Sequence, residues 1–322
     1  MKTGTVVRIL ISLFFIGLLY YILKGEMREV FLTLKRTDLS FFGLAFFLQL
    51  IVIGIISFRL NLFFKAQGLP LVWKEVLELS FIGIFFNNFL PTAAGGDVVK
   101  AYYAFQKTRK KMESFTCVVA DRIIGLFSMI FMATIGLTLL WGEIDQRIKA
   151  TVVSLFTLSA FLLLFLFSRR MAKSIRFLFA PLRRTGLDQK IEKLYLSLHL
   201  IMQNKKLLWK SLALSVTSHC IVIYSCSLLI RGLSSMVPLA RLCLMIPLIS
   251  TVSMLPSVNG LGIREGAFVY FLSGAIGRGA ALALSILWLG IMGIQSFIGA
   301  LVYLLRRGMR ASLKEVKTGG TL

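Results

Sequence analysis

Apolar runs of about twenty residues, separated by short and mostly basic segments, dominate the chain. Six are long enough to cross a hydrocarbon core of about 30 Å: roughly 5–23, 39–63, 114–141, 150–168, 208–230 and 280–305. Two further apolar stretches, 76–89 and 242–255, stop at Pro91 and Pro256. Each amounts to about 20 Å of helix at about 1.5 Å per residue, too short to span. A Gly-containing loop follows each break and leads into another short helical run, 97–106 and 264–277. The pattern predicts two helical hairpins that enter the membrane and return to the side they came from. The breaks share the skeleton Leu-Pro-(Thr/Ser)-x-x-Gly, as LPTAAG and LPSVNG. Non-helical backbone at membrane depth must be buried in protein or line a wet cavity, so both breaks are expected inside the bundle.

Composition agrees with this all-α polytopic membrane class. The 322 residues are 57% hydrophobic and 16% charged, against about 25% charged in soluble domains, and the mean hydropathy is +0.83. A β-barrel would show short alternating segments instead. The net charge of +23 would suit nucleic acid, but its placement argues against such a partner. With both hairpins re-entrant, one side of the membrane carries 24 Lys and Arg and the other nine. The positive-inside bias then puts both termini in the cytoplasm of a cell-membrane protein. Lys2 and Arg8 precede an apolar run with no small-residue cleavage site close behind, which reads as a retained span.

The same arrangement makes residues 1–141 and 147–310 repeats of opposite orientation within one transmembrane domain, 1–322. Inverted repeats are a common transporter plan, and matched Gly/Pro-interrupted segments point to the binding site. Between spans, 169–206 is basic and amphipathic and is expected as a helix on the cytoplasmic surface. Cys117, Cys220, Cys226 and Cys243 fall in apolar stretches without metal-ligand spacing, so neither a metal site nor a cofactor is expected.

Three constellations carry candidate chemistry. The first break offers Asn87, Asn88, Gly95, Gly96, Asp97 and Lys100. Glycines allow close backbone approach, Asp97 suits an N-cap, and Lys100 is a phosphate counter-charge if it meets the cavity. The second break offers Asn259, Gly260, Gly262, Arg264 and Glu265. The arginine fork suits phosphate oxygens. Neighbours on a helix point about 100° apart, so Arg264 and Glu265 need not pair. The third is Asp121-Arg122 in VVADRIIGL, which serves either to clamp the first hairpin or to touch substrate. Arg59, Glu75 and Glu78 read as interfacial, and His219 as a satisfied core histidine.

The trio GGDVVKAYY, VVADRIIGL and LPSVNGLGIREGA resembles the lysylphosphatidylglycerol synthase transmembrane family, also called flippase-like domain proteins. This is the membrane module of the multiple peptide resistance factor. The likeness runs over nearly the whole chain in motif order, with lysine at position 100 where the family pattern suggests arginine. It implies translocation of an anionic or aminoacylated phospholipid, or of a polyprenyl-phosphate carrier. The chain ends at Leu322 without room for an aminoacyl-transfer domain, so lysine transfer is not expected. A lipid-modifying enzyme is then a candidate partner. A flippase must shelter a polar head group in a central polar cavity, with Lys100, Arg122 and Arg264 offsetting its charge. Asp97, Asp121 and Glu265 are the titratable candidates for proton coupling. A membrane-embedded transferase acting on a lipid-linked sugar or phospholipid head group is the alternative, and a non-transporting scaffold a third.

Overall fold

The first hairpin owes its closeness to a glycine pair. A Cβ on Gly96 would run into the carbonyl of Gly83, so the two helices of that hairpin approach backbone to backbone. The computed structural model describes Gly17 and residues 27–89, 95–167, 187–255 and 260–305. Within them lie eleven helices and no strand. We label them α1 (Met27–Lys35), α2 (Leu39–Ala66), α3 (Trp73–Phe89), α4 (Gly95–Thr108), α5 (Lys111–Leu139) and α6 (Gln146–Phe167). There follow α7 (Leu187–Gln203), α8 (Lys205–Gly232), α9 (Leu239–Val252), α10 (Ile263–Ile276) and α11 (Arg278–Leu305).

Five of these, α2, α5, α6, α8 and α11, are long and apolar enough to cross a membrane, which makes this a multi-pass membrane protein. They overlap five of the six expected spans; the sixth, 5–23, lies outside the described residues but for Gly17. The two short interrupted stretches are indeed short helices, α3–α4 and α9–α10, each packed against its partner. The loops between them, 90–94 and 256–259, lie outside the described residues. Each returning helix leaves through a residue with left-handed backbone, Arg109 (φ +58°) after α4 and Gly277 (φ +81°) after α10. Only glycine adopts that conformation freely.

Local signals start the long helices. The Asp38 carboxylate accepts from the backbone N–H (2.9 Å) and hydroxyl (2.7 Å) of Ser40 ahead of α2. The Asn204 side chain accepts from the Leu207 N–H ahead of α8. Both satisfy donors that the first helical turn leaves orphaned.

α2 and α8 form the centre and run antiparallel. Gln49 donates to Ser225 (2.6 Å), Arg59 to Ser215 (2.7 Å), and the Asp38 N–H to the Gly232 carbonyl (3.1 Å). Ser211, Ser215, Ser218 and Ser225 are all buried on α8. Small polar residues let helices approach closely where apolar burial gives no contrast with lipid. Around this pair, α5 packs on α9, and α11 packs on α3. Each contact turns on a glycine: a Cβ on Gly136 of α5 would strike the Leu244 backbone, and one on Gly299 of α11 the Phe81 carbonyl.

Of the amphipathic segment expected over 169–206, residues 169–186 lie outside the described residues. The segment is helical over Leu187–Gln203, and Tyr195, Leu198, His199, Ile201 and Met202 are buried against α5, α6 and α8. The Tyr195 hydroxyl donates to the Phe165 carbonyl (2.8 Å), and His199 Nδ1 meets the Leu166 carbonyl at 2.7 Å. Both carbonyls belong to the last described turn of α6. The apolar face of α7 therefore packs on a neighbouring span. Leu196 and Leu200 on the other side remain exposed.

Candidate functional site

At the first break, α3 caps α4. Asn87 accepts from the Gly96 N–H at 2.7 Å, and the Gly83–Gly96 approach brings the Lys100 side chain across Gly83. Gly95 and Gly96 are buried, and at Gly96 the missing side chain makes room for α3, not for a ligand. Asp97 stands between two cations. Its carboxylate meets Lys100 Nζ at 3.3 Å, one turn along α4, and Arg122 Nη1 at 2.6 Å, across on α5. Two positive charges share one negative, leaving the three groups with a net charge of +1.

Asp121 and Arg122 are adjacent on α5 and turn to different neighbours. Arg122 reaches Asp97 of the first hairpin, while Asp121 accepts from Arg59 Nε at 2.7 Å. Arg59 also donates through Nη1 to Ser215 (2.7 Å) and through Nη2 to the Asp121 carbonyl (3.1 Å). The Asp-Arg dipeptide thus ties the hairpin to the α2/α8 centre. Arg59, expected at the interface, is 5% exposed, and each of its three guanidinium nitrogens donates to α5 or α8. Sequence reasoning could have found it, because a cation inside the apolar run LQLIVIGIISFRLNLFF calls for a buried partner. His219 lies beside this cluster, its Nε2 at 3.2 Å from the Gly125 carbonyl. Glu75 pairs with Lys107 at the outer end of the hairpin.

At the second break, Gly260 and Gly262 both have positive φ, +75° and +79°. The chain turns there into α10, and the Gly262 N–H donates to Glu265 Oε2 at 2.6 Å. Arg264 is 4% and Glu265 7% exposed. They do pair, through Arg264 Nε (3.2 Å) and Nη2 (2.7 Å) on Glu265 Oε1. The angular argument underrates two long side chains that are both withdrawn from water, where an unpaired charge costs several kcal/mol. The remaining donor, Arg264 Nη1, rests 3.0 Å from the Met292 sulfur on α11. A thioether is a weak acceptor. Asn259 lies outside the described residues.

Two cavities meet at Met292. One, of about 400 Å³, is bounded by Phe85 and Asn88 of α3, by Leu261 after the second break, and by one face of α11 from Leu289 to Ala300. The other, of about 180 Å³, is lined by Arg264, Ser250, Ser253, Phe268 and Trp288, with Met292 as shared wall. The structure therefore brings Asn88 and Arg264 to adjoining spaces. Lys100, Asp97, Asp121 and Arg122 line neither. The larger space is mostly apolar among its described residues, Asn88 and Ser296 being its polar side chains. Among the described residues, a largely apolar vestibule stands beside a smaller pocket that holds Arg264.

Comparison with known proteins bears on this arrangement. The model of the family described as "Lysylphosphatidylglycerol synthase TM region" matches residues 5–299. A UPF0104 membrane protein of Methanothermobacter thermautotrophicus is 26% identical over 134 residues, 40% of this chain and 39% of the relative. One of Methanocaldococcus jannaschii is 27% identical over 165 residues, 50% of this chain and 48% of the relative. One of Pyrococcus horikoshii is 33% identical over 100 residues, 30% of each chain. The matched stretches thus span half or less of these curated relatives. No solved structure matches the chain. The family match takes in both hairpins, the Asp121-Arg122 pair and all of α11 as far as Gly299, and on that extent the chain belongs to the lysylphosphatidylglycerol synthase transmembrane family.

Proposed function

We propose that this protein is a lipid translocase that moves a lipid with an anionic, phosphate-bearing head group between bilayer leaflets. Phospholipids and polyprenyl-phosphate-linked carriers both belong to that class. The observation that carries the reading is the junction of the two breaks. Asn88, just before the first, and Leu261, just after the second, bound one cavity of about 400 Å³. Arg264 sits behind its Met292 wall. A phosphate oxygen is a far better acceptor than the Met292 thioether for Arg264 Nη1, and charge-assisted hydrogen bonds are about twice as strong as neutral ones. The net positive charge of Lys100, Asp97 and Arg122 favours the same anion. The tails stay in lipid while the head group crosses.

An inverted repeat of 1–141 and 147–310 supplies the two-sided access. Three features support it. The central helices α2 and α8 run antiparallel. Gly136 and Gly299 are 163 residues apart, and so are the backbones they pack against, Phe81 and Leu244. Arg109 and Gly277, both with positive φ, end the two hairpins. Rocking of one repeat against the other would change the open side. Charge bias puts both termini in the cytoplasm of the cell membrane, and a lipid-modifying enzyme supplying the cargo is the partner this reading implies.

The test uses proteoliposomes containing the purified full chain and a panel of labelled lipids. Movement between leaflets without covalent change is the expected result. A new lipid product on chromatography would instead mark a membrane-embedded transferase. Single-cysteine probes at Thr108 and Gly277 are expected to label from opposite sides, and labelling from one side would end the inverted-repeat reading.

A further inference from the structure

Away from both breaks, a crevice of about 900 Å³ runs between α5, α6 and α8. Its walls are apolar, with Phe127 and Phe131 of α5, Leu163 of α6, and Leu208, Leu212 and Val216 of α8. On α8 it extends from Lys205 to Thr217, about 18 Å at about 1.5 Å per residue. That is slightly more than one leaflet of a hydrocarbon core of about 30 Å.

The two ends differ in chemistry. At the Lys205 end, Lys206, Trp209 and Lys210 complete the first turns of α8, and Trp209 is 71% exposed. Tryptophan and lysine together mark the level of lipid head groups. α8 contains no acidic residue. Among the described residues no carboxylate lies within ion-pair distance of Lys205 or Lys206. Lys210 is turned to the other side of α8, over the Phe58 ring at 5.5 Å. The positive end of the α8 dipole adds to the two free lysines.

We infer that this crevice holds one anionic phospholipid of the leaflet at the N-terminal end of α8, with its phosphate on Lys205 and its acyl portion along α5, α6 and α8. The occupant follows from charge and length together. A zwitterionic head group would gain little from Lys205 and Lys206, and a peptide would leave backbone groups unpaired in apolar walls. The site is separate from the hairpin cavities and stands whether or not the protein moves lipid across the membrane.

Native mass spectrometry of the full chain in mild detergent tests it, with phosphatidylglycerol and phosphatidylcholine of matched acyl chains as probes. One phosphatidylglycerol per chain is expected to survive activation that strips phosphatidylcholine. Ala213 lies exposed on the crevice wall, so A213W fills the groove without entering the core and is expected to cut that retained population at least fivefold. K205E/K206E is expected to do the same for phosphatidylglycerol and to leave phosphatidylcholine unchanged. R147E, an exposed cation in the first turn of α6 at the opposite end of that helix from Leu163, is expected to leave the retention as it was. Equal retention of both lipids overturns the inference. So does loss in the lysine variant with full retention in A213W, which would mean surface attraction without a groove. A thermal midpoint shared with the parent chain shows that each variant is folded.

Discussion

The two hairpins share a sequence skeleton and differ in how they hold their charges. In the first, Asp97 is divided between Lys100 on its own helix and Arg122 on α5, so the hairpin is fastened sideways. In the second, Arg264 and Glu265 neutralise each other within α10, and Glu265 also caps the Gly262 N–H. The glycines differ in the same sense. Gly96 lets two helices touch, whereas Gly260 and Gly262 bend the backbone through positive φ. A common break can therefore be stabilised by a bond to the rest of the bundle or by a closed local circuit. In the open circuit one carboxylate serves two cations on different helices, and the closed one holds a buried arginine whose Nη1 rests on a thioether.

Breaking the closed circuit should have the largest effect. R264A leaves Glu265 buried without its partner, which costs about 3–5 kcal/mol, visible as a large drop in thermal midpoint in detergent. R264Q/E265Q keeps the shape and removes both charges. It is expected to recover most of that stability while lipid movement stays at the protein-free rate. Full movement in the double variant would remove Arg264 from the site.

Opening the other circuit should cost less. D97N deprives Lys100 and Arg122 of their shared carboxylate, but the Arg122 side chain is 36% exposed and water can take over part of the role. A loss of about 1–3 kcal/mol is expected, together with freer accessibility of a cysteine probe at Thr108. An unchanged probe would mean that the sideways fastening does not hold the hairpin.

The packing symmetry gives a smaller and more even effect. G136A and G299A each force a methyl group against a neighbouring backbone, and overpacking of this kind costs about 1–3 kcal/mol. The two are expected to lower the thermal midpoint by similar amounts. A large shift in one and none in the other would break the correspondence between α5–α9 and α11–α3.

Smallest of all is M292L, a near-isosteric change costing under about 1.5 kcal/mol. It takes the weak acceptor away from Arg264 Nη1, so cargo binding is expected to tighten while the thermal midpoint barely moves. Weaker binding would show the sulfur to be a positioning group and not a placeholder.

Much of this was legible along the chain. Hydrocarbon thickness turns run length into span or no span, and five spans and both short hairpins follow from that alone. Charge counting went further than it seemed to promise. Of the 37 Lys and Arg, the expected topology assigns 24 and nine to the two sides; the four left over are Arg59, Lys100, Arg122 and Arg264. In the fold all four meet carboxylates. Which carboxylate each meets was not legible. Arg59 finds Asp121 from 62 positions away, and Arg264 finds the neighbour that helix geometry seemed to turn aside. The partner of the α7 apolar face was not legible for a related reason: periodicity identifies an apolar stripe but not whether lipid or protein covers it.

The sequence by itself determined where the chain crosses, where it breaks and how much charge stands inside, because the bilayer prices length and polarity residue by residue. Only the tertiary structure decided which charges cancel, which glycines make room for helices and which faces meet lipid. Those outcomes depend on distances between segments far apart in the chain. At Asn88, Leu261 and Met292, a few ångströms of helix packing decide that residues flanking the two breaks bound one space.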